Sequence, residues 1–342
     1  PEAYQAAVER LMGDAPRTAE LAEALMDGMM GGSVGEIETA VFLTAMARKG
    51  PTVAELVGLA RGMRARMVPV TAAGPLLDTC GTGGSGLDTP NVSTMAAFVA
   101  AAAGIRVAKH GNRASSGRCG SSDLLEAVGV PVAVGPEAAA ALLDEANLAF
   151  LFAPAYHPAV KAVVPVRRRV GFRTVFNFLG PLCNPAGATR QVLGVSDPKM
   201  ASLMARALLE LGSERVLVVH GDDGLDELTL TGPSRYWEVT ASGVVEGTLA
   251  PRELGLGTQP AEALRGGDVA RNAALFEAVL GGDPTPVASL VQLNAGAALW
   301  VGGAADDLRG GVIQAGELLA SGAALEAFNT YRDAARRHAD PA

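Results

Sequence analysis

Residues 1–70 carry apolar side chains at helical spacing. AELAEALMDGMM and EIETAVFLTAMARKG repeat them every three or four positions, and Gly31, Gly32, Gly50 and Pro51 interrupt the pattern. A helical unit with little chemistry in it is predicted there. From Leu76 the rhythm changes to short apolar runs alternating with helical stretches: LLDT, STMAAFVAAAAG, IRVAKH, SSDLLEAVGV, LAFLFAP and later VLVVHG. That alternation predicts βαβ units around a mainly parallel sheet. Residues 157–180, HPAVKAVVPVRRRVGFRTVFNFLG, read as helical again and can pack on the first unit although distant in sequence. From about Thr229 the short strands RYWEVT and GVVEGTLA precede alanine-rich helices. The expected fold class is α/β. A small discontinuous helical domain (1–72, joined by about 157–185) accompanies a larger α/β domain (73–342) whose central, mainly parallel sheet is flanked by helices.

Three of the breaks carry polar chemistry. The first, GTGGSG at 81–86, follows a strand ending at Asp78, and its glycines let backbone N–H groups approach an anion with no Cβ in the way. Gly81, Gly83 and Gly86 also satisfy G-x-G-x-x-G. A dinucleotide site further requires a helix opening directly from the loop and an acidic residue about 20 positions on. Here Leu87 to Asn91, with Pro90, separate glycines from helix, and the segment from Arg106 to Lys109 is basic. The dinucleotide reading therefore fails, and a phosphate cradle remains. In the adjoining NVST, Ser93 or Thr94 is the expected N-cap of the next helix.

The second break, VAKHGNRASSGRCGSSD at 107–123, gathers Lys109, His110, Asn112, Arg113, Ser115, Ser116, Arg118 and Ser121 ahead of a helix expected to be capped near Ser121 or Ser122. Cations, amide and hydroxyls in one loop suit a phosphorylated ligand. The third, HGDDGLDEL at 220–228, carries Asp222, Asp223, Asp226 and Glu227 after the strongest strand candidate. Clustered carboxylates there repel one another unless a cation such as Mg²⁺ sits among them. Taken singly, the second would read as a solvated loop and the third as an acidic turn; together they point to one phosphate-handling cleft. His110, His157 and His220, each at the end of a predicted element, are expected to share it. Of Arg167, Arg168 and Arg169, one can turn inward to meet an anionic substrate.

Composition narrows the class. The chain has 342 residues, a formal charge of −8 and 49% apolar residues, which fits a soluble acidic protein of two domains acting on small molecules and argues against nucleic-acid binding. Cys80, Cys119 and Cys183 lie far apart, read as small buried residues and suit a reducing cytoplasm. No basic stretch leads into an apolar one at Pro1, and no apolar run approaches the ~18 residues a membrane span needs, so a soluble, untargeted protein with no membrane partner is expected.

The ordered motifs GTGGSG, NVST, KHGNRASS at 109–116, AYHPAVKAVVPVR ending at Arg167, FNFLGPLCNPA at 176–186 and VVHGDDGLDEL at 218–228 resemble those of the anthranilate phosphoribosyltransferases over nearly the whole chain. KHGNR alone is less specific, because pyrimidine nucleoside phosphorylases of the same fold carry a similar segment. The resemblance implies a homodimer that joins anthranilate to phosphoribosyl pyrophosphate with Mg²⁺. It implies donor contacts from Gly81, Gly84, Ser85, Thr89, Asn91, Val92, Ser93, Thr94, Lys109, His110, Gly111, Asn112, Arg113, Ala114, Ser115, Ser116, Gly117 and Ser121. Gly81, Asn112 and Arg167 would contact anthranilate, His110, His157 and Pro181 would shape the path of its ring, and Ser93, Asp226 and Glu227 would ligate Mg²⁺. Lys109, Asn112 and Arg167 are the implied catalytic residues. The chain departs from the commonest pattern at Ser85, where many members have Asp, at Pro90 for Phe, at Cys119 for Ser and at Cys183 for Thr. The rival readings are a pyrimidine nucleoside phosphorylase, disfavoured by the Asp226–Glu227 pair, and a non-catalytic nucleic-acid-binding relative, which would need a basic cleft.

Overall fold

The structure is a computed structural model and describes residues 2–114 and 117–339. Four helices come first: α1 (Glu2–Met12), α2 (Ala19–Gly31), α3 (Glu36–Lys49) and α4 (Val53–Arg64). Their starts are written in side-chain chemistry. Thr52 Oγ1 accepts the Glu55 N–H (3.2 Å) while Glu55 Oε2 accepts the Thr52 N–H (2.8 Å), satisfying two donors that the first turn of α4 would leave orphaned. Gly58 on α4 faces the Ala19 carbonyl so closely that a Cβ would collide, which lets α2 and α4 pack almost backbone to backbone.

Strands and helices then alternate: β1 (Leu77–Gly81), α5 (Val92–Ala102), β2 (Val107–Gly111), α6 (Ser121–Ala127), α7 (Pro136–Ala146), β3 (Leu148–Phe152), α8 (Ala153–Tyr156), α9 (Val164–Val170), α10 (Phe176–Leu179), β4 (Arg190–Gly194), α11 (Pro198–Glu210), β5 (Arg215–Gly221), β6 (Ser234–Thr240) and β7 (Gly243–Leu249). Helices α12 (Val269–Leu280), α13 (Pro286–Gly302), α14 (Leu308–Ala320) and α15 (Ala323–His338) close the chain. The strands form one seven-stranded sheet in the order β3-β2-β1-β4-β5-β6-β7. β1 to β5 run parallel, and β6 and β7 return antiparallel at one edge. Strands covered on both faces read as continuous apolar runs, as LAFLF and VLVV do, whereas β6 alternates buried and half-buried residues.

β4 is absent from the sequence expectations. Its apolar run is only VLG, because Gln191 is polar yet buried, its amide donating to the Pro181 carbonyl (2.9 Å).

Helices cover both faces. On one, α5, α12, α13 and α15 build a core in which Phe98, Phe276 and Phe328 meet edge to face with centroids 4.9 to 5.6 Å apart. On the other, α11 joins the N-terminal helices, and Val163, Val166, Phe176, Leu179 and Leu182 share a core with Leu25, Phe42 and Leu56. Residues 163–182 thus pack on the N-terminal helices. The chain winds outward from β1 through β2 to β3, then resumes on the other side at β4. The crevice at this reversal, beyond the carboxyl ends of the strands, is where open α/β sheets bind ligands.

Candidate active site

A cleft of about 540 Å³ opens at the reversal, lined by the loops that leave β1, β2 and β5 and by residues 167–181. β1 delivers the glycine loop, which is held from three directions. The Gly83 N–H donates to Asp226 Oδ2 (2.8 Å), while the Gly83 carbonyl accepts Arg173 Nη1 (2.9 Å) and Ser196 Oγ (3.0 Å) from beyond β4. Gly84, at φ +81°, lies against the Arg173 guanidinium where a Cβ would collide. Ser85 Oγ accepts the Leu87 N–H (3.3 Å) and also favours the charged form of Asp226.

The N-cap of α5 is Asn91, not Ser93 or Thr94. Asn91 is left-handed (φ 57°), and its own carbonyl accepts the N–H groups of Thr94 (3.0 Å) and Met95 (3.2 Å). Ser93 and Thr94 are thereby displaced into the first turn, on the cleft wall. Ser93 Oγ accepts Lys109 Nζ (3.2 Å), and the buried Thr94 Oγ1 has no partner among the described residues. Val92 is fully buried, so only its helix-terminal N–H remains for an anion.

β2 carries the buried Lys109, whose Nζ also donates to the Thr79 carbonyl. Beneath it Asp78 Oδ1 accepts the His110 N–H (3.1 Å) and Oδ2 accepts Asn184 Nδ2 (2.8 Å), tying β1, β2 and the turn before β4 together. Burial raises Asp78 to about 6 despite the Lys109 charge, and burial lowers Lys109 despite Asp78. Past β2, Gly111, Asn112, Arg113, Ala114, Gly117 and Ser121 line the cleft; Ser115 and Ser116 lie outside the described residues. The Arg113 guanidinium is committed to Glu126 (2.7 and 2.8 Å) and Asp123 (2.9 Å), which leaves the loop backbone as its contribution to the cleft. Helix α6 is capped at Gly120 rather than at Ser121 or Ser122. Asp123 Oδ2 reaches back to the N–H groups of Gly120 (2.9 Å) and Ala114 (3.0 Å) and supplies what those hydroxyls were expected to supply.

Four carboxylates were expected around a cation in the third loop, and two of them line the cleft. Asp222 is exposed, and Asp223 accepts the hydroxyls of Thr229 and Thr231 (2.7 Å each) to close the turn. Asp226 and Glu227 are buried and face the glycine loop, their position fixed by Asn294, which bonds both the N–H and the carbonyl of Leu228 (2.9 Å each). Burial, then repulsion from Asp226, pushes Glu227 up to about 8, and burial raises Asp226 as well. Neither makes an ion pair among the described residues. Two hard oxygen donors with no salt bridge among the described residues, on a wall that also carries Ser93, fit a magnesium ion.

Of the histidines, only His110 reaches the wall, with Nδ1 3.1 Å from the Gly180 carbonyl. His157 stands behind it, ring centroids 5.0 Å apart, and His220 is bound to the Val195 carbonyl (2.8 Å) off the cleft. A histidine at a strand end faces whichever side its alternation dictates, so the expected three-histidine cleft does not form. Burial holds His110 near 3 and His157 near 4, so both rings are neutral.

Among the three arginines of α9, Arg168 and Arg169 are exposed, and Arg167 turns inward over the Phe176 ring (5.3 Å) beside Pro181. It has no hydrogen bond or ion pair among the described residues. Arg173, Asp78, Asn177 and Ser196 escaped the sequence reading. Arg173 sits in a basic run like any solvated face, and only the fold brings it to Gly83. Cys80 and Cys183 are buried as expected, whereas Cys119 is half-buried on the cleft wall.

The helical bundle domain of the glycosyl transferase family matches residues 5–67, and the a/b domain of that family matches residues 73–325. An anthranilate phosphoribosyltransferase of Roseiflexus sp. (strain RS-1) is 52% identical over 310 residues, 90% of each chain. The crystal structure of anthranilate phosphoribosyltransferase from Thermus thermophilus superposes with a TM-score of 0.91 at 45% identity, covering 96% of this chain and 99% of that one. The enzyme of that name from Saccharomyces cerevisiae in complex with PRPP and Mg gives 0.88 at 25% identity, covering 98% of each chain.

Proposed function

The chain belongs to the glycosyl transferase family, and from that premise we propose that its cleft transfers the 5-phosphoribosyl group of phosphoribosyl pyrophosphate to the amine of anthranilate, releasing pyrophosphate, a step of L-tryptophan biosynthesis. One observation carries the assignment. A single cleft holds, at one side, a guanidinium stacked on an aromatic ring, Arg167 on Phe176, and at the other a glycine loop facing a carboxylate pair, neither with an ion-pair partner among the described residues. An aromatic carboxylate suits the first, and a magnesium-bound pyrophosphate on ribose suits the second.

Breaking the bond from the anomeric carbon to pyrophosphate leaves an oxocarbenium-like centre, so the residues' task is to neutralise the leaving group and align a weak amine nucleophile. Lys109, the N–H groups opening α5 and the glycine-loop amides bind phosphate oxygens. Asn112 orients both substrates from the second loop, and Arg167 holds the anthranilate carboxylate while the neutral His110 and Pro181 border the ring. His157 acts by packing behind His110. Asp226, Glu227 and Ser93 would hold Mg²⁺, which would supply the positive charge that departing pyrophosphate requires. No side-chain nucleophile is needed, since the amine attacks the anomeric carbon directly.

The division into a helical domain of residues 1–72, joined by about 157–185, and an α/β domain of 73–342 is part of the proposal, supported by the gap between the two family matches at 67 and 73. So is a homodimer. Ile37 and Val41, one turn apart on α3, expose 77% and 43% of their surface on an apolar stripe, and sedimentation at twice the chain mass is the expected result, a monomer the contrary one. A cytoplasmic setting fits the three free cysteines.

The test of the acceptor site is Arg167→Ala. Losing a charge-assisted bond worth about 1.5–3 kcal/mol should raise the anthranilate KM roughly tenfold or more while the donor KM stays within about twofold. Equal rises in both would contradict the assignment.

A further inference from the structure

Helix α12 contributes no residue to the cleft wall, yet one of its side chains reaches the loops that form it. Asn272 is fully buried, and both hydrogens of its amide are used on the segment entering α5: Nδ2 donates to the Thr89 carbonyl (3.1 Å) and to Asn91 Oδ1 (2.8 Å). Its Oδ1 accepts the Gly267 N–H (2.8 Å), which fixes the amide's orientation. We propose that Asn272 is a positioning residue for the phosphoribosyl donor, acting through Asn91 on both the N-terminus of α5 and the second loop. The inference rests on reading this cleft as the donor site.

Asn91 carries the argument. Its left-handed backbone (φ 57°, ψ 46°) is a conformation that asparagine adopts more readily than most side-chain-bearing residues, and here side-chain bonds brace it. The Asn91 side chain is held at both ends, by Asn272 on its oxygen and by the Cys119 carbonyl, which accepts its Nδ2 at 3.1 Å. That conformation turns the Asn91 carbonyl into the cap of α5 and sets the first N–H groups of the helix, which have no intrahelical partner, toward the cleft, where the Ser93 N–H already favours the charged form of Glu227. Cys119 directly precedes Gly120, the cap of α6, so the half-buried Asn91 amide, itself held by Asn272, links the two donor loops.

The connection has no slack. Gly266 donates to the Asp88 carbonyl (2.7 Å), and a Cβ on it would strike both Thr89 and Asn272. Docking of α12 does not depend on the amide, because Phe276, Val279 and Leu280 anchor the helix in the core. A buried polar side chain among such residues is costly unless its bonds matter.

The experiment compares Asn272→Ala and Asn272→Asp with Phe276→Leu, a core change on the same helix that alters stability but touches neither loop. Asn272→Asp keeps the shape and sets a carboxylate oxygen against the two acceptors. Both Asn272 variants should raise the donor KM, and the Kd for phosphoribosyl pyrophosphate by calorimetry, about tenfold, equivalent to ~1.4 kcal/mol. The anthranilate KM should stay within about twofold. Phe276→Leu should lower Tm with the donor KM unchanged. A purely structural Asn272 would lower Tm without moving the donor KM or Kd, or would move both KM values equally, and either outcome overturns the proposal. Wild-type chain assayed in parallel separates the layers: no turnover there contradicts the reading of the cleft itself, whereas turnover with unaltered donor binding in the variants contradicts the clamp alone.

Discussion

Glu227 shows how far a single residue's chemistry is set by its surroundings. Its ordinary pKa of 4.5 rises to about 8 through burial and the neighbouring Asp226. Between those values the folded chain keeps a proton that the unfolded chain has released, so this group's contribution to stability declines as pH rises through that window. The metal-free chain should therefore lose about 2–4 °C of Tm between roughly pH 6 and 8, the shift expected for ~2 kcal/mol in a chain of this size. Glu227→Gln should lose less over the same interval, and Mg²⁺ should protect the wild type more at the upper pH. Differential scanning calorimetry reads all three, and identical slopes for wild type and variant would refute the account. The residue types at the site were legible because phosphate and metal chemistry draws on few of them: glycine, lysine, asparagine, hydroxyls and paired carboxylates. Arg173 and Asp78 were not, since nothing in their neighbours distinguishes a guanidinium that bonds Gly83 from a solvated one, or a buried aspartate from a strand-end one.

At the scale of elements, hydrophobic periodicity announced the N-terminal helices, the parallel strands and the return of helix near residue 157. It passed over β4, whose buried Gln191 interrupts the apolar run. Caps were misjudged for a shared reason. Ser93, Thr94, Ser121 and Ser122 have the right side chains for the position, but the caps are Asn91, held by a long-range bond from Asn272 that local pattern does not contain, and Gly120, whose N–H is taken by Asp123 three residues on. The glycine loop is the element where conformation and function meet most directly. Gly84 combines φ +81° with contact to the Arg173 guanidinium, so Gly84→Ala should strain the loop and push Arg173 off Gly83. Steady-state kinetics should show the donor KM raised at least about fivefold, the consequence of ~1 kcal/mol lost at the cradle. An unchanged donor KM would mean that the loop tolerates a side chain where the geometry leaves no room.

Over the whole molecule, an α/β sheet that reverses its winding beside β1 brings together residues from positions 81 to 227, and the helical segment 163–182 supplies the opposite wall. Fold class was legible from the alternation of apolar runs and the reaction from the resemblance that the six ordered motifs carry, three of which hold the loops leaving β1, β2 and β5 at the carboxyl edge of the sheet. The histidine grouping was not, since side-chain direction at a strand end depends on register. The central claim, that phosphoribosyl pyrophosphate and anthranilate meet in this cleft, is tested most directly by the fluorescence of anthranilate. Mixed with the wild-type chain, phosphoribosyl pyrophosphate and Mg²⁺, the fluorescence should fall with release of one pyrophosphate per anthranilate consumed, and the fall should vanish in the Asp226→Asn, Glu227→Gln double variant with its fold intact. Steady fluorescence with the wild-type chain, together with phosphate-dependent cleavage of thymidine or uridine, would contradict it.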